Sequence, residues 1–277
     1  MRASAVATPP SDARMTELPA ARRADALAPA ETERNLVLTL LAVAAGCVDA
    51  VSFLGLGQVL TAAMTGNTVL LGLALGQAEL QAALRSIVAL LGFFAGALLG
   101  ASIVERSPGP FWSPAVAAAL AIELALLVVL AITWHFGEGP PWIDHRFALI
   151  AAAALAMGLQ SAVAQRAGIA GISTTYVTGT LTTMAARLIG SVRNRTSRDP
   201  RVEATTPAWL PAVVWLAYGV GAVLAGAAYR WWAPLALALD VDGDLRWPSA
   251  ALVVPIGIVA IVALIVAGRW RRRRATD

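Results

Sequence analysis

The sequence predicts an all-α membrane protein, a polytopic helical bundle of two repeated halves, and three observations carry that expectation. Of 277 residues, 58% are hydrophobic and 14% charged, with a mean hydropathy of +0.70, whereas about a quarter of the residues of soluble domains are charged. Apolar runs follow one another along the chain, each near the roughly 20 residues that a helix needs to cross hydrocarbon. A polar cluster inside one run, Met64-Thr65-Gly66-Asn67-Thr68, recurs inside a later one as Val177-Thr178-Gly179-Thr180-Leu181.

In chain order, residues 1–33 mix Ala, Pro, Arg and acidic residues without the apolar core of a signal peptide, which predicts a disordered cytoplasmic tail. A single transmembrane domain over 34–270 follows, with apolar segments at about 35–57, 59–76, 84–104, 112–134, 147–165, 172–190, 208–230 and 249–268. Hydrocarbon offers backbone groups no partners, so each is expected to be helical. Segments two and six are the weak ones. The sixth carries Ser173, Thr174, Thr175, Thr178, Thr180, Thr182 and Thr183, and hydroxyls in that number call for a lining of protein rather than lipid. A basic cytoplasmic tail over 271–277 closes the chain.

The repeat spans about 35–134 and 147–268. Gly46-Cys47-Val48-Asp49-Ala50 aligns with Gly158-Leu159-Gln160-Ser161-Ala162, and Gly92, Gly96 and Gly100 align with Ala217, Gly221 and Ala225. Small residues at every fourth position form a flat stripe where another helix approaches closely in lipid.

All 21 basic residues are arginine, and most of them gather in the N-terminal tail, between Arg187 and Arg201, and from Arg269 to Arg274. Beside long apolar runs such clusters follow the positive-inside bias of insertion rather than nucleic-acid binding. Both termini are therefore expected in the cytoplasm and the loop with Asp240, Asp242 and Asp244 outside. Two topologies satisfy this: eight spans with parallel repeats, or six spans with segments two and six re-entrant and the repeats inverted. The side on which residues 77–84 and 136–145 lie separates them.

Two carboxylates stand inside apolar segments, Asp49 and Glu123. Each needs a partner or a wet cavity; either can load a proton or hold a cation, or serve only to join helices. Glu123 leans to the second role, because the matching stretch Val259 to Ala263 has no acid. Gly66 and Gly179 can let a helix open, offering free amides or carbonyls to an ion, or can simply allow close packing. Cys47, the one cysteine, reads as a small core residue. His135 and His145 lie outside any metal-binding spacing, and no nucleophile, phosphate or dinucleotide motif is present, so no enzyme, cofactor or metal is expected. Trp112, Trp142, Trp231, Trp232 and Trp270 sit at segment ends, as an interfacial belt does.

The run from Gly46-Cys47-Val48-Asp49-Ala50 through Ser52-Phe53-Leu54 to Met64-Thr65-Gly66-Asn67-Thr68, with Gly158-Leu159-Gln160-Ser161 and Thr174 to Thr182, resembles the YoaK family of bacterial multi-pass membrane proteins. The likeness covers about residues 35 to 270 and departs from the family pattern in the long N-terminal tail and at Cys47, where a bulkier residue is expected. It implies a bacterial inner-membrane location and supplies no substrate, the family's function being unassigned.

Together these features point to a secondary transporter of a small solute, proton- or cation-coupled through Asp49 and Glu123. Its substrate site is expected from Asp49, Thr65, Gly66, Asn67 and Thr68 of one half and Gln160, Thr178, Gly179 and Thr180 of the other. The alternative is a membrane-embedded binding or scaffold protein. The expected partners are the lipid bilayer and a small molecule or ion, with a homo-oligomer left open and nucleic acid excluded.

Overall fold

A computed structural model describes residues 20–106, 111–136, 145–167, 181–182, 184–185, 189, 209–238 and 251–274. The elements among them are all helices: α1 (Ala20–Gly55), α2 (Met64–Gly76), α3 (Leu80–Glu105), α4 (Pro114–Phe136), α5 (His145–Arg166), α6 (Leu210–Ala238) and α7 (Val253–Arg274). All but α2 are long and apolar enough to cross a membrane. The sixth apolar segment, with Thr178, Gly179 and Thr180, and the loop with Asp240 to Asp244 lie outside the described residues, apart from scattered positions between 181 and 189.

Two boundaries differ from the sequence reading. The backbone is helical from Ala20, inside the stretch expected to be disordered; Ala, Arg and Glu are strong helix formers, and the apolar run that follows supplies the nucleus from which such a helix extends. The second segment, read as 59–76, is helical only over 13 residues from Met64, or about 20 Å at 1.5 Å per residue, short of the ~30 Å hydrocarbon thickness.

Local chemistry sets the other ends. Past α1, Gly57 takes the left-handed φ of 87° and Gln58 donates its N–H back to Phe53 O at 3.0 Å, a glycine-terminated C-cap. Ala78 plays the same part after α2 at φ 58°, with Glu79 N–H on Ala74 O at 2.8 Å. Ser113 Oγ accepts the Val116 N–H at 3.3 Å just before Pro114, the first residue of α4, the preferred order of cap and proline.

Helices α1 and α5 form the centre, with 67% and 72% of their apolar windows buried against 22–33% for the other spans. Hydrophobic transfer gives helices no reason to associate in lipid, so small residues that admit close backbone contact decide the pairs. In α1 against α6, Gly46 faces the Tyr218 carbonyl and Gly221 faces the Val43 carbonyl. In α3 against α5, Gly158 faces the Phe93 carbonyl and Gly96 the Leu155 carbonyl, with Gly92 on Ala151 and Gly100 on Leu159 and Ala162. Cys47 is buried in the first of these seams, its thiol donating to Gly221 O at 3.1 Å; the close approach of α6 leaves room for a thiol where the family resemblance suggested something larger. The remaining contacts are α4 on α5 and α7, α7 on α1, α2 on α3, and narrow ones between α3 and α4 and between α1 and α5.

Contacts at the helix ends fix their directions. Arg269 near the end of α7 pairs with Glu33 near the start of the apolar part of α1, and its guanidinium lies 6.0 Å from the ring centre of Trp112, just before α4. The start of that span, the start of α4 and the end of α7 therefore share one end of the bundle. At the other end Gly57, past α1, lies against the Arg85 side chain in the first turns of α3: a Cβ on Gly57 would stand 2.9 Å from Arg85 Nε. Helix α3 thus runs opposite to α1, and the α2–α3 turn at 77–79 lies toward the end where α1 finishes.

A Cβ at Gly158 would strike backbone, whereas one at Gly219 would meet nothing within 4 Å. Gly158→Ala is therefore expected to lose about 1–3 kcal/mol of stability by overpacking and Gly219→Ala none, read as thermal unfolding of the detergent-purified protein.

Candidate functional site

The polar cluster that the sequence singles out is the entrance to α2, and a carboxylate from α1 organises it. Asp49 is 2% exposed. Its Oδ1 accepts the backbone N–H of Thr61 at 2.7 Å and of Ala62 at 2.6 Å, and Oδ2 accepts that of Ala63 at 3.0 Å. The Tyr218 hydroxyl of α6 donates to Oδ2 as well, and the Thr61 hydroxyl lies 3.4 Å from Oδ1 and 3.2 Å from Ser52 Oγ. Successive amides before the first turn of a helix have no partners within it, and the helix dipole favours an anion there. The chain meets that demand with its own aspartate.

Asn67 does the complementary work from inside α2. Fully buried, it accepts the Leu60 N–H on Oδ1 at 3.0 Å and donates from Nδ2 to the Leu60 carbonyl. An amide side chain carries donor and acceptor together, so one asparagine satisfies both backbone groups of a residue that leaves regular structure inside the membrane. Gly66 lies in the first turn of α2 against the Leu60 side chain; the sequence offers this glycine as a place where a helix can open, and the non-helical backbone lies before it, at residues 60–63.

The remaining expected site residues separate. Thr65 and Thr68 are exposed, the Thr68 hydroxyl bonding back to Met64 O at 3.0 Å. Gln160 is fully buried and donates to Leu41 O of α1 at 2.9 Å. Leu41 lies eight residues before Asp49, about 12 Å along α1 at 1.5 Å per residue, so Gln160 marks the α1–α5 crossing rather than the α2 entrance. Thr178, Gly179 and Thr180 lie outside the described residues. Glu123 is fully buried on α4, and neither of its oxygens has a hydrogen-bond partner among the described residues.

Sequence reasoning missed Tyr218, Thr61 and Ser52. A usable signal existed for Tyr218: it aligns with Phe93, as Asp49 aligns with Ser161, so the acid of the first half and the hydroxyl of the second both lack a counterpart at the matching position. No group of three or more His, Cys, Asp or Glu among the described residues is placed to hold a metal ion.

Comparison with known proteins gives a consistent picture. The model of a family described as protein of unknown function, DUF1275, matches residues 37–241. The UPF0700 transmembrane protein YoaK of Bacillus subtilis (strain 168) is 35% identical over 215 residues, covering 75% of this chain and 92% of the relative. No solved structure matches.

Asp49→Ala would leave three buried amides without an acceptor and is expected to cost about 3 kcal/mol or more, against about 1 kcal/mol for Tyr218→Phe. In the Asp49→Ala background, Tyr218→Phe should cost nothing further, a coupling that a double-mutant cycle on thermal unfolding reads directly.

Proposed function

The chain belongs to the DUF1275 family of multi-pass membrane proteins, the family of YoaK, and on that premise we propose that it is a secondary transporter for a small solute in the bacterial cytoplasmic membrane. Its two repeats are inverted, α2 is re-entrant, and both termini are cytoplasmic. The observation that carries this reading is the pairing of the helices. Gly46 on Tyr218 and Gly221 on Val43 correspond, residue for residue under the alignment of the halves, to Gly158 on Phe93 and Gly96 on Leu155. Each half thus lends its first helix to the third helix of the other. The bond from Gln160 to Leu41 supports an axis in the membrane plane: an axis along the membrane normal would put Leu41 level with Ala153, leaving Gln160 about 10 Å higher.

Re-entry of α2 is supported by the helix ends. The end of α1 touches the start of α3 at Gly57 and Arg85, and Trp112 beyond α3 joins the start of α1's apolar part through Arg269 and Glu33. A half-length helix that begins inside the membrane with its amides on a carboxylate is the type of element around which carriers of inverted repeats bind their solutes. Asp49 and Asn67 tie its entrance to α1 and α6, while its shaft lies on α3. A rearrangement of α3–α5 relative to α1–α6 therefore has to pass through residues 60–63. Uphill movement draws on an ion or proton gradient, with Asp49 and Glu123 the two carboxyls inside the spans.

A scaffold protein is the second reading, favoured by one observation: Asp49 and Asn67 bond the backbone of residues 60–63 and the Tyr218 hydroxyl, which ties the helices together. Solute jumps over proteoliposomes on a solid-supported membrane separate the two. A carrier gives a transient current or a lumenal pH change with at least one member of a panel of amino acids, organic acids, amines and sugars, and loses it in Asp49→Asn. Silence across the panel, with the protein folded, favours the scaffold.

Topology is tested independently with a cysteine at Gln77 in a Cys47→Ala background. Re-entry predicts that a membrane-impermeant maleimide labels it on intact cells; labelling only after lysis indicates eight spans.

A further inference from the structure

Helix α4 buries one stripe, Val116, Ala119, Leu120, Glu123, Leu127, Leu130 and Trp134, and its only ionisable member lies near the middle of the helix. Its side chain is 0% exposed, and both carboxyl oxygens lack a hydrogen-bond partner among the described residues. A carboxyl kept to join helices would show the partner that it joins to, as Asp49 does. Among the described residues, the elements packed on α4 bring no countercharge to this level. Their described ionisable groups are His145, Arg146 and Arg166 on α5, Arg269, Arg271, Arg272 and Arg274 on α7, and Arg85 and Glu105 on α3. His135 is the other titratable group of α4 itself. All of these stand within the first or last two turns of their helices, and the side chains buried on α7 along its middle are Val259, Val262 and Val266.

A lone ionised carboxylate in hydrocarbon is too costly to persist. A metal cation would require several oxygen ligands around the same point, and among the described residues neither Glu123 oxygen has even one polar partner. A proton needs a single oxygen. We infer that Glu123 is the proton-binding carboxyl of the membrane domain, carrying its proton in the conformation described here and exchanging it with water when α4 moves against α5 and α7. The inference rests on the transporter reading in one respect: it names the coupling ion as H⁺ and assigns it to α4. Asp49 is left as the group that holds the entrance of α2.

The test is labelling of the full-length protein in proteoliposomes by dicyclohexylcarbodiimide, which partitions into hydrocarbon and reacts with protonated carboxyls. The acid O–H adds across a C=N bond with its proton passing to nitrogen, and the acyl group then shifts to nitrogen, leaving a stable N-acylurea with nothing released. Peptide mass spectrometry should find the adduct on Glu123 and not on Asp49. Only the protonated carboxyl reacts, so the rate should hold or fall, and never rise, as the pH is raised. A water-soluble carbodiimide should label Glu123 at least about tenfold more slowly, since the charged reagent is excluded from hydrocarbon.

Glu123→Gln, a neutral isostere, should lose the label and melt within about 2 °C of the parent, the change expected for a shift well under 1 kcal/mol. Absence of the adduct, equal labelling by both reagents, or a rate that rises with pH would overturn the inference. So would a large drop in melting temperature in Glu123→Gln, which would mark a structural carboxylate. Labelling needs no solute, so its outcome is independent of the solute-jump experiment: a protonatable Glu123 with no transported solute counts against the transporter, and a transported solute with an inert Glu123 counts against this site.

Discussion

The bond on which the rest of the site depends is that between one aspartate and three consecutive backbone amides. Where α1 ends and α2 begins, residues 60–63 form no helix, and such backbone persists inside a membrane protein only if other parts of the protein satisfy it. Asp49 takes the amides of Thr61, Ala62 and Ala63, and Asn67 takes both groups of Leu60. Hydrogen bonds to a charged acceptor are worth about 1.5–3 kcal/mol each, more than the neutral kind. Two side chains thereby hold a half-length helix in a place where neither its length nor its sequence would keep it.

Around that point the molecule is assembled from close backbone contacts rather than from a conventional core. Glycine at 46, 221, 96 and 158 lets carbonyls of the facing helix approach where any Cβ would collide. The two seams correspond, but their chemistry does not: in the proposed two-fold arrangement Ser161 and Phe93 stand where Asp49 and Tyr218 stand. The α1–α6 seam therefore carries an acid and the phenol that reaches it, and the α3–α5 seam carries neither.

Much of the architecture was legible in the sequence, because hydrocarbon imposes a simple rule on length and polarity. Six apolar runs became six helices long enough to span, and the small residues at 92, 96 and 100 and at 221 lie at the seams. The weakness of the second segment was legible too, from three polar side chains and a glycine in five residues. The location of the break was not. Gly66 looked like the opening, yet the chain departs from helix at Leu60 to Ala63, whose side chains are apolar or small and give no warning; the cause lies in what Asp49 and Asn67 do to their backbone. Tyr218 was hidden for a different reason: it is 169 positions from Asp49, and periodicity carries no information about such a contact. Gln160, grouped with Asp49 from the sequence, is buried on α5 and bonds Leu41 O, about 12 Å along α1 from Asp49; alignment places residues at equal depth in their own repeats without saying which neighbour each will face.

The central claim is that the Asp49 carboxylate holds the amides of residues 61–63, and hydrogen exchange of those amides tests it most directly. In the protein reconstituted in lipid nanodiscs, the peptide covering 60–63 should exchange slowly, at a rate comparable to the core of α1, and should exchange at least about tenfold faster in Asp49→Ala, as a loss of 1.4 kcal/mol or more of local protection requires. Fast exchange at 61–63 in the unmodified protein, or slow exchange unchanged by the substitution, would contradict it.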